Sequence, residues 1–393
     1  MDSLDRIEAP AALEEDATVF VAFELSKAKW KLGIVTPGTR KLSRYTVAGG
    51  DVAAVAARIA AARAKAARAK ALHDDRPVRV VSLYEAGYDG FWLHRWLVAQ
   101  GVINHVVDPA SIEVNRRSRR AKTDRLDLDQ LMRTLLAYCR GEPRVCSMAR
   151  VPSVAEEDAR RRTRERARLV KERGAHVNRI KALLHGQGIR DVQPVRASFA
   201  ARLAELRTGD GHALAPALVA EIAREHARLR LIVEHILAVE AESQAVEALA
   251  QAGTPAGKVR QLTQLVSIGA TSARVLVNEV FYRRFDNRRQ LGGYLGLTGT
   301  PYDSGSSRRE QGIGKSGNPR ARTVAVELAW LWLRHQPESA LSQWFRERVG
   351  ARKSGVRKTA IVALARKLMV ALWRFVETGL VPSGARLRAP AQG

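Results

Sequence analysis

Short apolar runs separated by helical stretches organise the first third of the chain. Two β-rich runs, T-V-F-V-A-F-E-L at 18–25 and K-W-K-L-G-I-V-T at 29–36, predict adjacent antiparallel strands. Further elements are predicted as strands at 78–83 and 103–107 and as helices at about 51–72, with Asp51 as its cap, and at about 90–100. Because strands alternate with helices, the pattern predicts an α/β sheet sandwiched by helices.

Helical periodicity dominates from about residue 154 onwards. Apolar residues at three- and four-residue spacings predict two long helices, at about 154–186 and 215–252, that form an antiparallel hairpin or coiled coil. Residues 262–280 predict a helix, a glycine turn at Gly269 and a second helix. Such a helix-hairpin-helix can present backbone N–H groups to phosphate, or it can simply pack. Residues 323–377 are helical, and their tryptophans are interpreted as core.

These patterns predict an α/β part followed by an all-α part, in five segments. The segments are a flexible leader at 1–16, a mixed-sheet domain at 17–152, a helical coiled-coil linker and oligomerisation region at 153–254, a mainly helical carboxy-terminal domain at 255–380, and a disordered tail at 381–393.

Charge narrows the range of partners. The 393 residues include 66 Lys and Arg against 40 Asp and Glu, a formal net charge of +26. Such an excess predicts a polyanionic partner, and arginine suits phosphate in particular. No apolar run reaches the roughly 18 residues that a membrane span needs. Cys139 and Cys146 are the only cysteines, which excludes a disulfide framework and a four-cysteine zinc site and favours free thiols in the cytoplasm.

Four acidic residues lie where predicted elements could bring them together. Glu24 lies in the first strand, Glu85 directly follows the strand at 78–83, and Asp124 and Asp127 begin a helix in K-T-D-R-L-D. Residues three apart share a helix face, and a cluster of carboxylates needs a cation such as Mg²⁺, which could act on a phosphodiester. Asp124 and Asp127 are alternatively ordinary first-turn acids favoured by the helix dipole. Asp129 is interpreted as solvated.

Two basic stretches are candidates for nucleic-acid contact. The first adjoins the acidic cluster and comprises Arg116, Arg117, Arg119, Arg120 and Lys122. The second is the glycine-rich stretch 300–322, which offers the hydroxyl of Ser304 together with Arg308, Arg309, Lys315, Arg320 and Arg322. Glycines allow close approach of the backbone and the cations suit phosphate, so the stretch is consistent with a serine that attacks a phosphodiester. The alternative is a basic surface loop.

The order of the motifs resembles the transposases of the insertion sequence 110 family over residues 18–380. The shared motifs are E-L-S-K after the first strand, Y-E-A-G-Y-D-G, K-T-D-R-L-D, L-V-S-I-G, and G-L-T-G-T-P-Y-D-S-G-S-S-R-R-E-Q-G-I-G-K-S-G-N. The resemblance implies a RuvC-like (RNase H-like) domain whose acidic tetrad, at Glu24, Glu85, Asp124 and Asp127, binds Mg²⁺. It also implies a nucleophile at Ser304 that forms a phosphoserine link to DNA.

The same resemblance implies partners and an assembly. Such a recombinase is guided by a structured RNA from its own element, which pairs with donor and target DNA. Dimers pair into tetramers in the bacterial cytoplasm, at the nucleoid, and one subunit supplies the tetrad while another supplies the serine. This chain departs from the family at Glu24, where Asp is usual, and a longer side chain could retune the metal site. Two other functions remain open, a metal-dependent junction-resolving nuclease and a catalytically silent nucleic-acid-binding protein.

Overall fold

The structure is a computed structural model. It describes residues 18–39, 41–70, 77–112, 124–143, 145–249, 251, 253–304, 307–314, 316–350 and 354–389. The chain forms two compact units, Met1–Ser153 and Val154–Gly393. The predicted leader lies outside the described residues.

A five-stranded mixed sheet forms the centre of the first unit. Its strands are β1 (Thr18–Leu25), β2 (Lys29–Val35), β3 (Ser43–Ala48), β4 (Arg79–Glu85) and β5 (Ile103–Val107). Their order across the sheet is β3-β2-β1-β4-β5, with β1, β2 and β3 antiparallel and β4 parallel to both β1 and β5. The predicted strands are confirmed. β3 was not predicted, because the strand predictions followed continuous apolar runs and S-R-Y-T-V-A has none; in the structure its burial alternates along the strand.

Helices cover both faces of this sheet, as the α/β pattern predicts. α1 (Val52–Lys70) and α2 (Trp92–Ala99) pack on one face, and α3 (Asp124–Cys139) packs on the other. A 3₁₀ turn, Pro109–Ser111, follows β5. The carboxylate of Asp51 accepts a hydrogen bond from the Ala54 N–H at 2.9 Å, so the predicted cap of α1 is confirmed.

Two long antiparallel helices begin the second unit, α4 (Val154–His185) and α6 (Pro216–Ala248), with the short α5 (Phe199–Leu203) between them. Ion pairs from Arg179 to Glu221 at 2.7 Å and from Arg166 to Glu240 at 2.6 Å fix the antiparallel register. Between them lies an apolar seam that includes Leu169 and Ile236. The predicted helical hairpin is therefore present.

The rest of the second unit packs around one core. It comprises α7 (Pro255–Thr263), α8 (Ala270–Leu276), a π-helical turn (Val277–Phe281), α9 (Arg288–Tyr294), β6 (Gly299–Ser304), β7 (Ser307–Ile313), α10 (Pro319–His335), α11 (Ala340–Val349) and α12 (Ser354–Thr378). Gly269 caps α8, which confirms the predicted helix, turn and helix. Trp332 is fully buried, as predicted, whereas Trp330 is 40% exposed beneath the guanidinium of Arg357.

The disordered tail predicted from residue 381 is wrong for the residues that the structure describes there. Leu387 forms a β-bridge with Leu265, and the Arg388 N–H donates to the Gln264 carbonyl at 2.7 Å. Gln336, which is buried, accepts from the Arg386 N–H and donates to its carbonyl. These long-range contacts order a segment that has no periodicity of its own. None of the described helices is both long and apolar enough to span a bilayer.

Candidate active site

Glu24 and Glu85 lie side by side at the carboxyl ends of β1 and β4. Phe23 pairs with Tyr84 in the parallel ladder, so the next residue of each strand is one of the two glutamates. On both strands every second residue belongs to the core beneath α3, and this alternation places Glu24 after Ala22 and Glu85 after Leu83 on that face. Both glutamates are partly buried and both engage in polar interactions. The structure therefore brings these two predicted carboxylates to one edge of the sheet.

α3 carries the other two predicted carboxylates over the same face. Asp124 is its first residue, and Asp127 lies one turn later, partly buried and next to the core residue Leu128. The helix packs mainly on β1 and approaches β2 closely, because Gly33 has no side chain; a Cβ there would lie 3.3 Å from Leu128 Cγ. The side chain of Asp124 is outside the described part of the structure. So is the basic run Arg116, Arg117, Arg119, Arg120 and Lys122.

Asp129 was predicted to be a solvated residue. In the structure it pairs instead with Arg44 of β3. Its Oδ1 lies 2.6 Å from Arg44 Nη2, and both side chains are partly exposed. An exposed pair of this kind contributes little stability. It does tie α3 to the antiparallel side of the sheet.

The donor chemistry of this edge fits a hard divalent cation. Carboxylate oxygens are the ligands that Mg²⁺ prefers. Two carboxylates, those of Glu24 and Glu85, belong to adjacent positions of neighbouring strands. Within the described residues, no group of three or more His, Cys, Asp or Glu side chains is assembled closely enough to hold a metal ion. The described side chains of Glu24, Glu85 and Asp127 do not by themselves form such a group.

Ser304 belongs to the second unit, where it ends β6 at the tip of a β-hairpin. It pairs with Ser307 of β7, followed by the pairs Asp303 with Arg308 and Tyr302 with Arg309. The sequence indicated a turn-rich stretch, not strands, because it contains several Gly, Pro and Asp residues, which are disfavoured in strands. The pairing of the two strands is interrupted by an irregularity between Gly299 and Pro301. The predicted mainly helical domain thus contains a two-stranded sheet.

Gly317 of the G-K-S-G-N motif and Gly296 serve packing of the chain on itself. A Cβ on Gly317 would overlap the backbone N of Gly296 and the carbonyl O of Tyr294. Gly296 itself has φ +64° and lies against the Gly314 carbonyl. The sequence indicated close approach of this backbone to an anion. For Gly317 the structure shows close approach to another backbone segment, which anchors the base of the hairpin.

The cations of the stretch 300–322 that the structure describes differ in exposure. Arg320 is exposed in the first turn of α10, whereas Arg322 donates to the Leu295 carbonyl at 3.3 Å and is part of the packed structure. Lys315 lies outside the described residues. For Arg308 and Arg309 the structure describes the pairing on β7, and their side chains lie outside its described part.

A buried polar network that sequence reasoning missed supports the base of the hairpin. Asn318 caps α10 by accepting from the N–H groups of Arg320 and Ala321, at 3.1 and 3.2 Å. Its amide donates to Glu279 Oε2 at 3.0 Å. Arg164 of α4 donates to both oxygens of Glu279, at 2.7 and 3.0 Å. The sequence does contain one signal for this network, since a charged residue stands within the apolar run V-L-V-N-E-V.

Glu279 is ionised in this setting. Burial alone raises its pKa, but hydrogen bonds from Arg164 and Asn318, with the charges of Arg164 and Arg160, outweigh burial and hold the pKa below its ordinary value of 4.5. The neighbouring Tyr294, whose hydroxyl donates to the Glu279 carbonyl at 2.7 Å, has a raised pKa because it is buried. Both groups therefore act as fixed hydrogen-bonding partners near neutral pH.

Comparison with known proteins identifies this arrangement. A family model described as "Transposase IS116/IS110/IS902 family" matches residues 259–343, which include the hairpin, Glu279 and Asn318. A putative transposase, y4rJ, of Sinorhizobium fredii is 49% identical over 98% of this chain and 99% of its own length. A transposase for insertion sequence element IS1111A of Coxiella burnetii is 25% identical over 75% of this chain and 77% of its own. The chain belongs to the IS116/IS110/IS902 family of transposases.

Proposed function

We propose that this transposase cuts and rejoins donor and target DNA through a covalent link between Ser304 and DNA. The observation that carries the proposal is the placement of Glu24 beside Glu85 at the ends of parallel strands, under a helix that begins with Asp124 and Asp127. The position of Ser304 at the end of a hairpin supports its role, since the tip of a hairpin can reach a backbone phosphate.

The reaction exchanges one phosphate ester for another. The Ser304 hydroxyl gives up its proton and its oxygen bonds to phosphorus, while the bond from phosphorus to a deoxyribose oxygen breaks and that oxygen gains a proton. The second half reverses this step with the end of another strand, so no external energy source is needed. Glu24, Glu85, Asp124 and Asp127 would hold Mg²⁺, which when bound stabilises charge on the phosphoryl oxygens and favours ionisation of the attacking hydroxyl.

Basic residues would neutralise the DNA backbone during this step. Arg308 and Arg309, on the strand that pairs with that of Ser304, would serve this role. Arg320 and Lys315 flank the start of α10, and the run from Arg116 to Lys122 would contact nucleic acid beside the carboxylates.

The proposal includes a guide RNA and an oligomer. A structured RNA from the element would pair with donor and target DNA, so that pairing reads sequence while the basic protein reads backbone. Dimers would associate into tetramers in the cytoplasm, at the nucleoid, with the carboxylates of one subunit facing Ser304 of another.

The test is incubation of the full chain with element RNA, Mg²⁺ and donor and target DNA, followed by denaturing electrophoresis. We expect a protein–DNA adduct that is lost in Ser304→Ala and retained in Ser307→Ala, the matched control from the paired position. Asp124→Ala and Glu85→Gln should abolish strand breakage. Cleavage that survives Ser304→Ala without an adduct would show a metal-dependent nuclease. Binding without breakage, in Mg²⁺ or Mn²⁺, would show a silent nucleic-acid-binding protein.

A further inference from the structure

Tyr88 is the most exposed of the large apolar or aromatic side chains that the structure describes. It is 92% exposed and lies three residues after Glu85. A side chain in such a position contributes almost nothing to the core, and its whole ring is accessible to a partner. Its location, directly beyond the carboxyl end of β4, places it at the edge of the sheet that carries Glu24 and Glu85.

The turn that carries Tyr88 is fixed by contacts on both sides. The Gly90 N–H donates to the Gly87 carbonyl at 3.2 Å, which closes a four-residue turn with Tyr88 as its second residue. Gly90 has φ +64°, a conformation that favours glycine. The buried Tyr84 donates from its hydroxyl to the Gly90 carbonyl at 3.1 Å, and the Ala86 N–H donates to the Val107 carbonyl at 2.9 Å. Tyr88 is thus held outwards on a rigid support.

The charge of this turn selects the part of a nucleic acid that Tyr88 can contact. Glu85 and Asp89 flank it, and a carboxylate repels a phosphate wherever no cation lies between the two. The face of a base carries no charge and stacks on an aromatic ring. A second aromatic ring, Trp92, begins α2 with 42% exposure and is anchored to the core by contact with Trp30, at 5.8 Å between ring centroids.

We propose that Tyr88 stacks on an unpaired DNA base next to the phosphate that a divalent cation would hold at Glu24 and Glu85. This inference rests on the proposed function, because it takes those carboxylates as the phosphate site. Strand exchange requires that bases near the cut lose their pairing partners, and an aromatic ring held at that point stabilises the unpaired state. Since all four bases have an aromatic face, this contact would tolerate any sequence.

The test is equilibrium binding of the full chain, with Ca²⁺ in place of Mg²⁺ as the cation for the carboxylates, to a fluorescent single-stranded DNA oligonucleotide and to its duplex. We expect Tyr88→Ala to weaken single-strand binding on the order of 10-fold, and duplex binding by less than about 2-fold. Tyr88→Phe should bind like the wild type, because the ring is kept. The slope of log Kd against log salt should stay unchanged in Tyr88→Ala, since no phosphate contact is lost. Leu249→Ala, which alters an 86% exposed apolar side chain in the second unit, is the matched control.

Three results would overturn the inference: single-strand affinity equal to that of the wild type in Tyr88→Ala, an equal loss for single strand and duplex, or a loss for an RNA oligonucleotide without one for DNA. The assay needs no cleavage, so it is read independently of whether Ser304 forms an adduct. Conversely, an adduct that forms normally in Tyr88→Ala, together with unchanged single-strand binding, would refute the stacking role and leave the proposed function intact.

Discussion

Replacing Glu279 by Ala should destabilise the second unit, because Glu279 is a buried charge with three hydrogen bonds. The residue is 2% exposed, and its two oxygens accept two bonds from Arg164 and one from Asn318. Breaking a buried ion pair costs about 3–5 kcal/mol. The Arg164 side chain is 44% exposed, so water replaces part of what it loses. We therefore expect a loss of about 2–3 kcal/mol, mostly from the Asn318 amide and the vacated space.

Thermal unfolding measured by calorimetry on the full chain provides the readout. For a unit of this size, 1 kcal/mol shifts Tm by about 2–4 °C, so Glu279→Ala should lower the transition of the second unit by about 5–10 °C. Glu279→Gln keeps the shape and should cost less. Glu234→Ala, which alters an exposed acid of α6, should leave Tm unchanged within about 1 °C.

The pH dependence of unfolding provides a second measurement, and its direction follows from the pKa of Glu279. The pKa of Glu279 is lowered in the folded state, so its contribution is present above pH 4.5 and is lost as the pH falls through the folded pKa. The stability difference between wild type and Glu279→Gln should therefore narrow below about pH 4.5. A difference that stays constant from pH 7 to pH 3, or a Tm of Glu279→Ala within 1 °C of wild type, would refute the reasoning.

Three further predictions concern packing, the tail and a partly buried histidine. Gly317→Ala should lower Tm and reduce adduct formation, because the added Cβ overlaps backbone atoms. Gly293→Ala, which has open space around the added Cβ, should be neutral or stabilising by about 0.5–1 kcal/mol. Equal Tm values for the two variants would contradict this prediction. Deleting residues 382–393 should destabilise the second unit by several kcal/mol, because the buried Gln336 loses partners at about 1–3 kcal/mol each, and an unchanged Tm would show that the tail is dispensable. Burial lowers the pKa of His105 from 6.5 to about 4. The free energy of unfolding of the first unit should therefore fall by up to about 3 kcal/mol as the pH falls from 6.5 to 4. His105→Asn should abolish this pH dependence of unfolding, and its persistence in the variant would exclude His105 as the source.

The sequence predicts the first unit well because its signals are local. Apolar runs identify β1, β2, β4 and β5, and Asp51 identifies the start of α1. Placing Glu85 directly after a strand was enough to expect it at a sheet edge. What the sequence could not supply was the order of the strands, since the position of β1 between β2 and β4, and hence the adjacency of Glu24 and Glu85, depends on pairing between distant segments.

The second unit shows the limit of the same reasoning. Its long helices are periodic and were predictable. The ordered tail depends on contacts across long sequence separations, and the hairpin at Ser304, although local, is built from residues typical of turns. Leu387 and Leu265, for example, are brought together by tertiary structure and carry no shared pattern. Propensity therefore predicted turns and disorder where pairing provides strands and order.

The glycine-rich motif illustrates how one sequence signal can carry two meanings. Gly317 is required by the fold, since its Cβ would overlap the backbone at Gly296, and Asn318 next to it both caps α10 and contacts Glu279. These residues hold the two ends of the segment that contains Ser304, so a packing defect at Gly317 would displace the serine without touching DNA. Loss of activity in a Gly317 variant is therefore weak evidence for phosphate binding by this glycine. Ser304→Ala compared with Ser307→Ala separates chemistry from support, because both changes lie in the hairpin and only one removes the proposed nucleophile.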